Sequence, residues 1–259
     1  MKKYLLELIQ YRDLLFNLTL TEIKLRYRNS VLGFLWTILN PLFYLLVLAF
    51  VFSRIIRFEV PNYTIFLFAG LASWLMIQQT VTIATASIVN NQALIRRVYI
   101  PKMVFPLSNV LSRYIDHTIL VLILVAFMAV FKAPFTWSLL FVPVVVLLHF
   151  FFSLGLSLIT TVAHIRIRDV QHVVAILFQI LFYATPIIYP LDVLPLKYRP
   201  LLLWNPFYYF VECLRFPVFH SSLPPGQLIL SALALTVVTF CIGFFLFSKK
   251  EKYFVFHLS

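Results

Sequence analysis

The stretch that decides the fold class is His164–Pro190, HIRIRDVQHVVAILFQILFYATPIIYP. It opens with a charged turn, Arg166, Arg168 and Asp169, which hydrocarbon does not accommodate. An apolar run of about one bilayer thickness follows, and a segment bracketed by prolines, Ala184–Pro190, ends it. The stretch therefore predicts a membrane helix that begins after a charged turn and is interrupted at its other end by a segment that contains prolines.

The composition extends this prediction to the whole chain. Hydrophobic residues make up 62% of the 259 residues, charged residues make up 12%, and the mean hydropathy is +0.96. Soluble domains are roughly 45–50% apolar and about 25% charged. The sequence is therefore typical of a polytopic membrane protein, and an all-α fold is expected.

Apolar runs long enough to cross a bilayer recur along the chain. Residues 1–30 precede them and combine apolar residues at three- and four-residue steps with Arg26, Arg28 and other cations. This pattern favours an amphipathic helix at the cytoplasmic membrane interface, with a solvated cytoplasmic helix as the alternative. Residues 31–259 are expected to form one transmembrane domain of six spans: about 31–52, 64–89, 107–131, 138–163, 170–189 and 227–247.

The segment 190–226 differs from the other connections because it is rich in proline and aromatic residues. It is too short for two further spans, so we expect short re-entrant helices between spans five and six. The alternative is an interfacial loop with an aromatic belt. Glu212 and Arg215 stand three residues apart and are expected to pair on a helix.

The cations predict the orientation. With both termini in the cytoplasm, 14 lysines and arginines fall on the cytoplasmic side and 6 on the other side. This distribution follows the positive-inside rule and predicts a multi-pass protein of the cytoplasmic membrane. It also explains the net charge of +12 without a nucleic-acid partner.

The sequence contains no phosphate loop, no metal-ligand spacing and no paired intramembrane carboxylates. We therefore expect no catalytic residue, no metal site and no bound cofactor on this chain. Arg113 and Asp116, inside the third span, are expected to pair, with a part in a gate or a substrate-access site as the alternative.

Three aromatic residues, Trp74, Tyr183 and Tyr189, lie inside or at the ends of spans rich in polar groups. Most aromatic residues of such a chain face lipid or form interfacial belts. Flat rings with a polar handle also suit sugars that pass without being held tightly. These three residues are thus candidate pathway or gate residues, together with Arg113, Asp116, Glu212 and Arg215.

Four segments in succession resemble the ABC-2 type permeases, and the subgroup that exports polysaccharides most of all. They are YRNSVLGFLW (27–36), RRVYIPKMVFPL (96–107), RIRDVQHVVAILFQILFYATPIIYP (166–190) and NPFYYFVECLR (205–215). Permeases for O-antigen, capsule and teichoic acid belong to this subgroup. The resemblance covers essentially the whole chain.

The resemblance implies a homodimer with two cytoplasmic ATPase subunits, which would bind ATP and Mg²⁺. The loop at Leu94–Phe105 would be the coupling helix that docks on the ATPase, with Pro101 at its start. Its expected contacts are Leu94, Arg96, Arg97, Ile100, Pro101 and Lys102.

The implied substrate is a glycan on a polyprenyl diphosphate carrier, which enters from the surrounding membrane lipids. Two other classes remain open from the residues alone, an ion-coupled secondary transporter and a membrane glycosyl- or acyltransferase. ATP hydrolysis that depends on the complex separates export from both.

Overall fold

The computed structural model describes residues 7–55 and 60–254, and within these ranges it contains helices and no strands. The all-α prediction is confirmed. The α-helices are α1 (Arg12–Tyr27), α2 (Trp36–Phe50), α3 (Tyr63–Thr85), α4 (Ser87–Asn90), α5 (Gln92–Arg97), α6 (Val104–Val130), α7 (Val142–Arg166), α8 (Val170–Ala184), α9 (Arg199–Leu203), α10 (Pro206–Arg215) and α11 (Gly226–Lys250).

Five helical segments of the described residues are long and apolar enough to cross a membrane. They correspond to the predicted spans one to four and six, with ends that differ by a few residues. Their bounds are Gly33–Ser53, Tyr63–Thr85, Val104–Val130, Trp137–Arg166 and Gly226–Tyr253.

The stretch expected to form span five, 170–189, has a shorter helix than the sequence predicts. Helix α8 ends at Ala184 after 15 residues, which gives a length of about 22 Å against a hydrocarbon core of about 30 Å. Thr185 is extended because Pro186 follows it. Five segments long and apolar enough to span a membrane are therefore present among the described residues, and a sixth crossing by α8 stays a prediction.

Helix α3 is the centre of the fold. Of its most apolar part, 78% is buried by the neighbouring helices, against 11% for the first spanning segment and 17% for the last. Helices α2, α6, α7, α8 and α10 contact α3. The first and the last spanning segments, which contain α2 and α11, expose most of their apolar surface, which suits contact with lipid or with another subunit.

Helices α7 and α11 pack backbone against backbone at Gly155 and Gly243. A β-carbon on Gly155 would lie 2.7 Å from the backbone nitrogen of Phe240. Small residues at a crossing let two membrane helices pack backbone against backbone. The two glycines thus hold the last span directly against the fourth.

Helix α1 lies against α6. Leu15 and Leu18 pack on an apolar cluster at the beginning of α6, and Asn109 Nδ2 donates to Glu22 Oε1 at 3.2 Å. Residues 12–27 are helical as predicted, and residues 1–6 lie outside the described ranges. Contacts to a spanning helix, which the amphipathic pattern does not predict, hold α1 in place.

Candidate functional site

A polar cavity of about 560 Å³ lies where the end of α1 meets α2, α3 and α6. We call it the arginine cavity. Polar groups from all four helices and from the α1–α2 connection line it: Arg26, Tyr27, Ser30, Thr37, Asn40, Gln78, Gln79, Thr82, Arg113, Asp116 and His117.

Two arginines share one carboxylate in this cavity. Arg26 forms an ion pair with Asp116 and also donates to Ser112 Oγ at 3.1 Å. One guanidinium nitrogen of Arg113 lies 3.5 Å from Asp116 Oδ2 and 3.5 Å from Gln79 Oε1. The expected pair of Arg113 and Asp116 is therefore present. Arg26 joins it from 90 residues away, and the three groups carry one net positive charge.

Hydrogen-bonding capacity is left over in this group. The side chain of Asp116 is 4% exposed, and its Oδ1 has no hydrogen-bond partner among the described residues. The same holds for Nε of Arg113. Buried polar atoms are nearly always satisfied, so these two atoms indicate a place for water or a ligand.

A second ion pair lies at the other end of α3, and we call it the Arg215 cluster. Arg215 and Glu212 are 2.5 Å apart and both are buried. Arg215 also donates to the carbonyl oxygens of Pro186 and Ile187 at 3.0 and 3.2 Å, and its guanidinium lies 3.8 Å from the centre of the Phe66 ring. The expected pair of Glu212 and Arg215 is thus part of a larger contact.

The same region supplies partners for the broken end of α8. Asn205 Nδ2 donates to the carbonyl oxygen of Ala184 at 3.2 Å and to Thr185 Oγ1 at 2.9 Å. Tyr63 donates to the carbonyl oxygen of Ile188 at 2.6 Å. Because a buried carbonyl without a partner is costly, these contacts stabilise the non-helical turn after Ala184.

The expected coupling segment has a buried and an exposed side. Ile95 and Ile100 are buried, whereas Arg96, Arg97 and the adjoining Tyr99 are exposed. Leu94 is half-buried. The segment thus presents cations and an aromatic ring on an apolar base.

The helix of this segment is α5, which ends at Arg97. The expectation that Pro101 starts the helix is wrong, because Pro101 lies in the non-helical turn before α6. Pro101 is buried, and the backbone nitrogen of Lys102 donates to Glu251 Oε1 at 2.8 Å. The turn is therefore fixed by the carboxyl-terminal end of the chain.

The other predicted residues are spread over the molecule. Arg166, Arg168 and Asp169 are exposed in the short turn between α7 and α8, and Arg28 is exposed beyond α1. Tyr183 is 66% exposed, and its carbonyl oxygen accepts a hydrogen bond of 3.1 Å from the hydroxyl of Tyr189. These positions leave their predicted roles open.

Trp74 differs from the other aromatic candidates because it is 1% exposed. Its ring makes edge contacts with Phe178, Phe182 and Phe207. In this structure the ring packs in the apolar core, and neither of its faces is open to a passing sugar.

The sequence matches the family described as ABC-2 type transporter over residues 13–219. It is 34% identical over 251 residues to the O-antigen export system permease protein RfbA of Myxococcus xanthus, with 96% of each chain covered. An RfbA of Klebsiella pneumoniae is 32% identical over 195 residues, 75% of each chain. The polysialic acid transport protein KpsM of Escherichia coli is 29% identical over 251 residues, 91% of this chain and 92% of KpsM. The chain belongs to the ABC-2 type transporter family.

Proposed function

We propose that the chain is the transmembrane subunit of an ATP-driven exporter, which moves a lipid-linked polysaccharide of the O-antigen type across the cytoplasmic membrane. The observation that supports this most is the similarity to the Myxococcus xanthus O-antigen export permease over 96% of both chains. A match of this length takes in the spanning helices and the connections between them.

The proposed complex is a homodimer with two cytoplasmic ATPase subunits. The sequence has no phosphate loop of its own, so ATP and Mg²⁺ are assigned to the partner. The core around α3 is filled by side chains. A continuous corridor for a polymer therefore has to form between two copies, and the exposed faces of α2, α8 and α11 are available for it.

The ATPase is proposed to dock on the segment Leu94–Phe105. Exposed Arg96 and Arg97 are available to acidic groups of a partner, and the buried isoleucines fix the segment to the spanning helices. The turn Arg166–Asp169 and both termini are assigned to the same cytoplasmic side, in agreement with the positive-inside distribution.

The segment 190–226 is proposed to re-enter the opposite half of the membrane and to help close the exit. Short helices α9 and α10 in this segment agree with that proposal. So does the hydrogen bonding of the carbonyl groups after α8, since irregular backbone at membrane depth needs partners within the protein.

A second candidate substrate within the same family is a capsular polysaccharide. The similarity to KpsM, named as a polysialic acid transport protein, supports it at lower identity. A teichoic acid is the third candidate of this kind. Analysis of cells that lack the chain distinguishes these candidates. The glycan that accumulates on its carrier at the cytoplasmic face of such cells is the substrate.

The test is the affinity of the purified chain for its ATPase, measured together with the ATP hydrolysis of the complex. Arg97→Ala removes an exposed cation from the docking segment, and loss of an arginine that anchors an interface costs more than about 1 kcal/mol, or about fivefold in affinity. Arg12→Ala, at the exposed beginning of α1, is the matched control. Weaker ATPase association with Arg97→Ala alone supports the proposal. Unchanged association, or transport by the chain without an ATPase, contradicts it.

A further inference from the structure

The arginine cavity has a charge that its own residues do not balance. Arg26 and Arg113 face one carboxylate, Asp116. The nearest further carboxylate, Glu22, bonds to Asn109 and does not line the cavity. The side chains of the two arginines are 16% and 15% exposed, so solvent screens this excess charge only in part. The cavity therefore favours an anion.

The remaining walls suit a phosphate group. Neutral hydrogen-bond donors surround the arginines, among them the side-chain amides of Asn40, Gln78 and Gln79. Arginine matches phosphate oxygens with two parallel hydrogen bonds. A volume of about 560 Å³ lies within the range of about 300–1,000 Å³ that is typical of small-ligand sites.

One side of the cavity is apolar. Trp36 and Pro41 line it where α2 begins, and the outer face of α2 continues with exposed Phe43, Leu46 and Val47. A molecule with a phosphate head in the cavity would thus have an apolar surface for its chain to follow. This combination distinguishes a lipid from free phosphate.

We propose that the arginine cavity binds the phosphate-bearing head group of a lipid. Arg26 and Arg113 hold the phosphate oxygens, and Asp116 holds the two arginines in place while the site is empty. The proposal rests on the proposed function only for the identity of the lipid. Its two sources are the polyprenyl diphosphate carrier and an anionic phospholipid.

The experiment measures lipid binding to the full chain with its ATPase, in nanodiscs of neutral phosphatidylcholine and without ATP. Polyprenyl diphosphate, phosphatidylglycerol and uncharged polyprenol are titrated separately. Loss of one charged hydrogen-bonding group changes affinity about tenfold. Arg113→Gln should weaken binding about tenfold, and Asp116→Asn should tighten it by a similar factor. Arg28→Gln, two residues beyond Arg26 and outside the cavity wall, should change nothing.

Tighter binding by Asp116→Asn cannot come from damage to the fold, so it supports the proposal even if Arg113→Gln is unstable. The expected order of affinities is Asp116→Asn tightest, then the unchanged chain, then Arg113→Gln. If this order is found with polyprenyl diphosphate alone, the site binds the carrier. The same order with phosphatidylglycerol assigns it to phosphate head groups in general. Equal affinity of all variants for both phosphate lipids, or the same order with polyprenol, overturns the proposal. Since no transport is measured, failure of the export proposal does not alter the result.

Discussion

The arginine cavity and the Arg215 cluster use the same local device with different results. Both contain an arginine and a carboxylate three residues apart on one helix. In the Arg215 cluster the charges balance, and two backbone carbonyls accept hydrogen bonds from Arg215, which leaves only its Nε without a partner among the described residues. In the arginine cavity a second cation enters from α1, so the charges do not balance, and the group lines a cavity. Partners distant in sequence therefore decide whether such a pair stabilises a packed region of the fold or lines a cavity that can bind a ligand.

The largest effect that tests this comparison is expected from Arg215→Met. The change leaves Glu212 buried without its cation and frees the carbonyls of Pro186 and Ile187. Removing one partner of a buried pair costs about 3–5 kcal/mol, so the thermal unfolding midpoint of the detergent-purified protein should fall strongly. Arg199→Met breaks a pair with exposed Asp192 and is the control. Equal midpoints for the two variants would contradict the structural role of the Arg215 cluster.

A smaller effect is expected from Gly70→Ala. The added β-carbon would lie 2.7 Å from a terminal nitrogen of Arg215 and 3.2 Å from the carbonyl oxygen of Ile187. Because Arg215 is already held by other contacts, the overpacking should cost about 1–3 kcal/mol. The same midpoint measurement applies. Gly226→Ala has open space around it and should have no comparable effect; destabilisation by both variants would point to general helix effects.

The smallest effect is expected in the arginine cavity. Arg26→Gln leaves Asp116 with Arg113 and with access to the cavity, so its cost should be only about 1–2 kcal/mol. The cost of combining Arg26→Gln with Asp116→Asn should be smaller than the sum of the two single costs, because the Arg26–Asp116 pair can be lost only once. A double-mutant cycle on the unfolding midpoint measures this coupling. Strictly additive effects would show that Arg26 and Asp116 act independently.

The sequence predicts the spanning helices well because each is a continuous apolar run with polar ends. It overestimates span five because hydropathy does not register the extended backbone that Pro186 imposes on Thr185. It misplaces the start of the coupling helix for a related reason. A proline is compatible with a helix start, but here Pro101 occupies a turn fixed by Glu251, which is 149 residues from Lys102.

Local spacing predicts the pairs Arg113–Asp116 and Glu212–Arg215, since residues three apart on a helix are neighbours. It gives no reason to seek a second cation for Asp116, so Arg26 is assigned only to the membrane interface. For Trp74, the neighbours in sequence give a wrong indication of the neighbours in space. Its polar surroundings in sequence suggest a pathway, whereas phenylalanines from α8 and α10 enclose it in space.

The hydrogen bond between Lys102 and Glu251 has a mechanical consequence. Glu251 directly follows α11, and α11 is locked to α7 where Gly155 meets Gly243. Two helices in backbone contact resist sliding past each other. A force on the turn at Lys102 would therefore move α7 and α11 together as one rigid body. A tilt of this helix pair would displace the opposite ends of both helices together, although about 90 residues separate the two glycines along the chain.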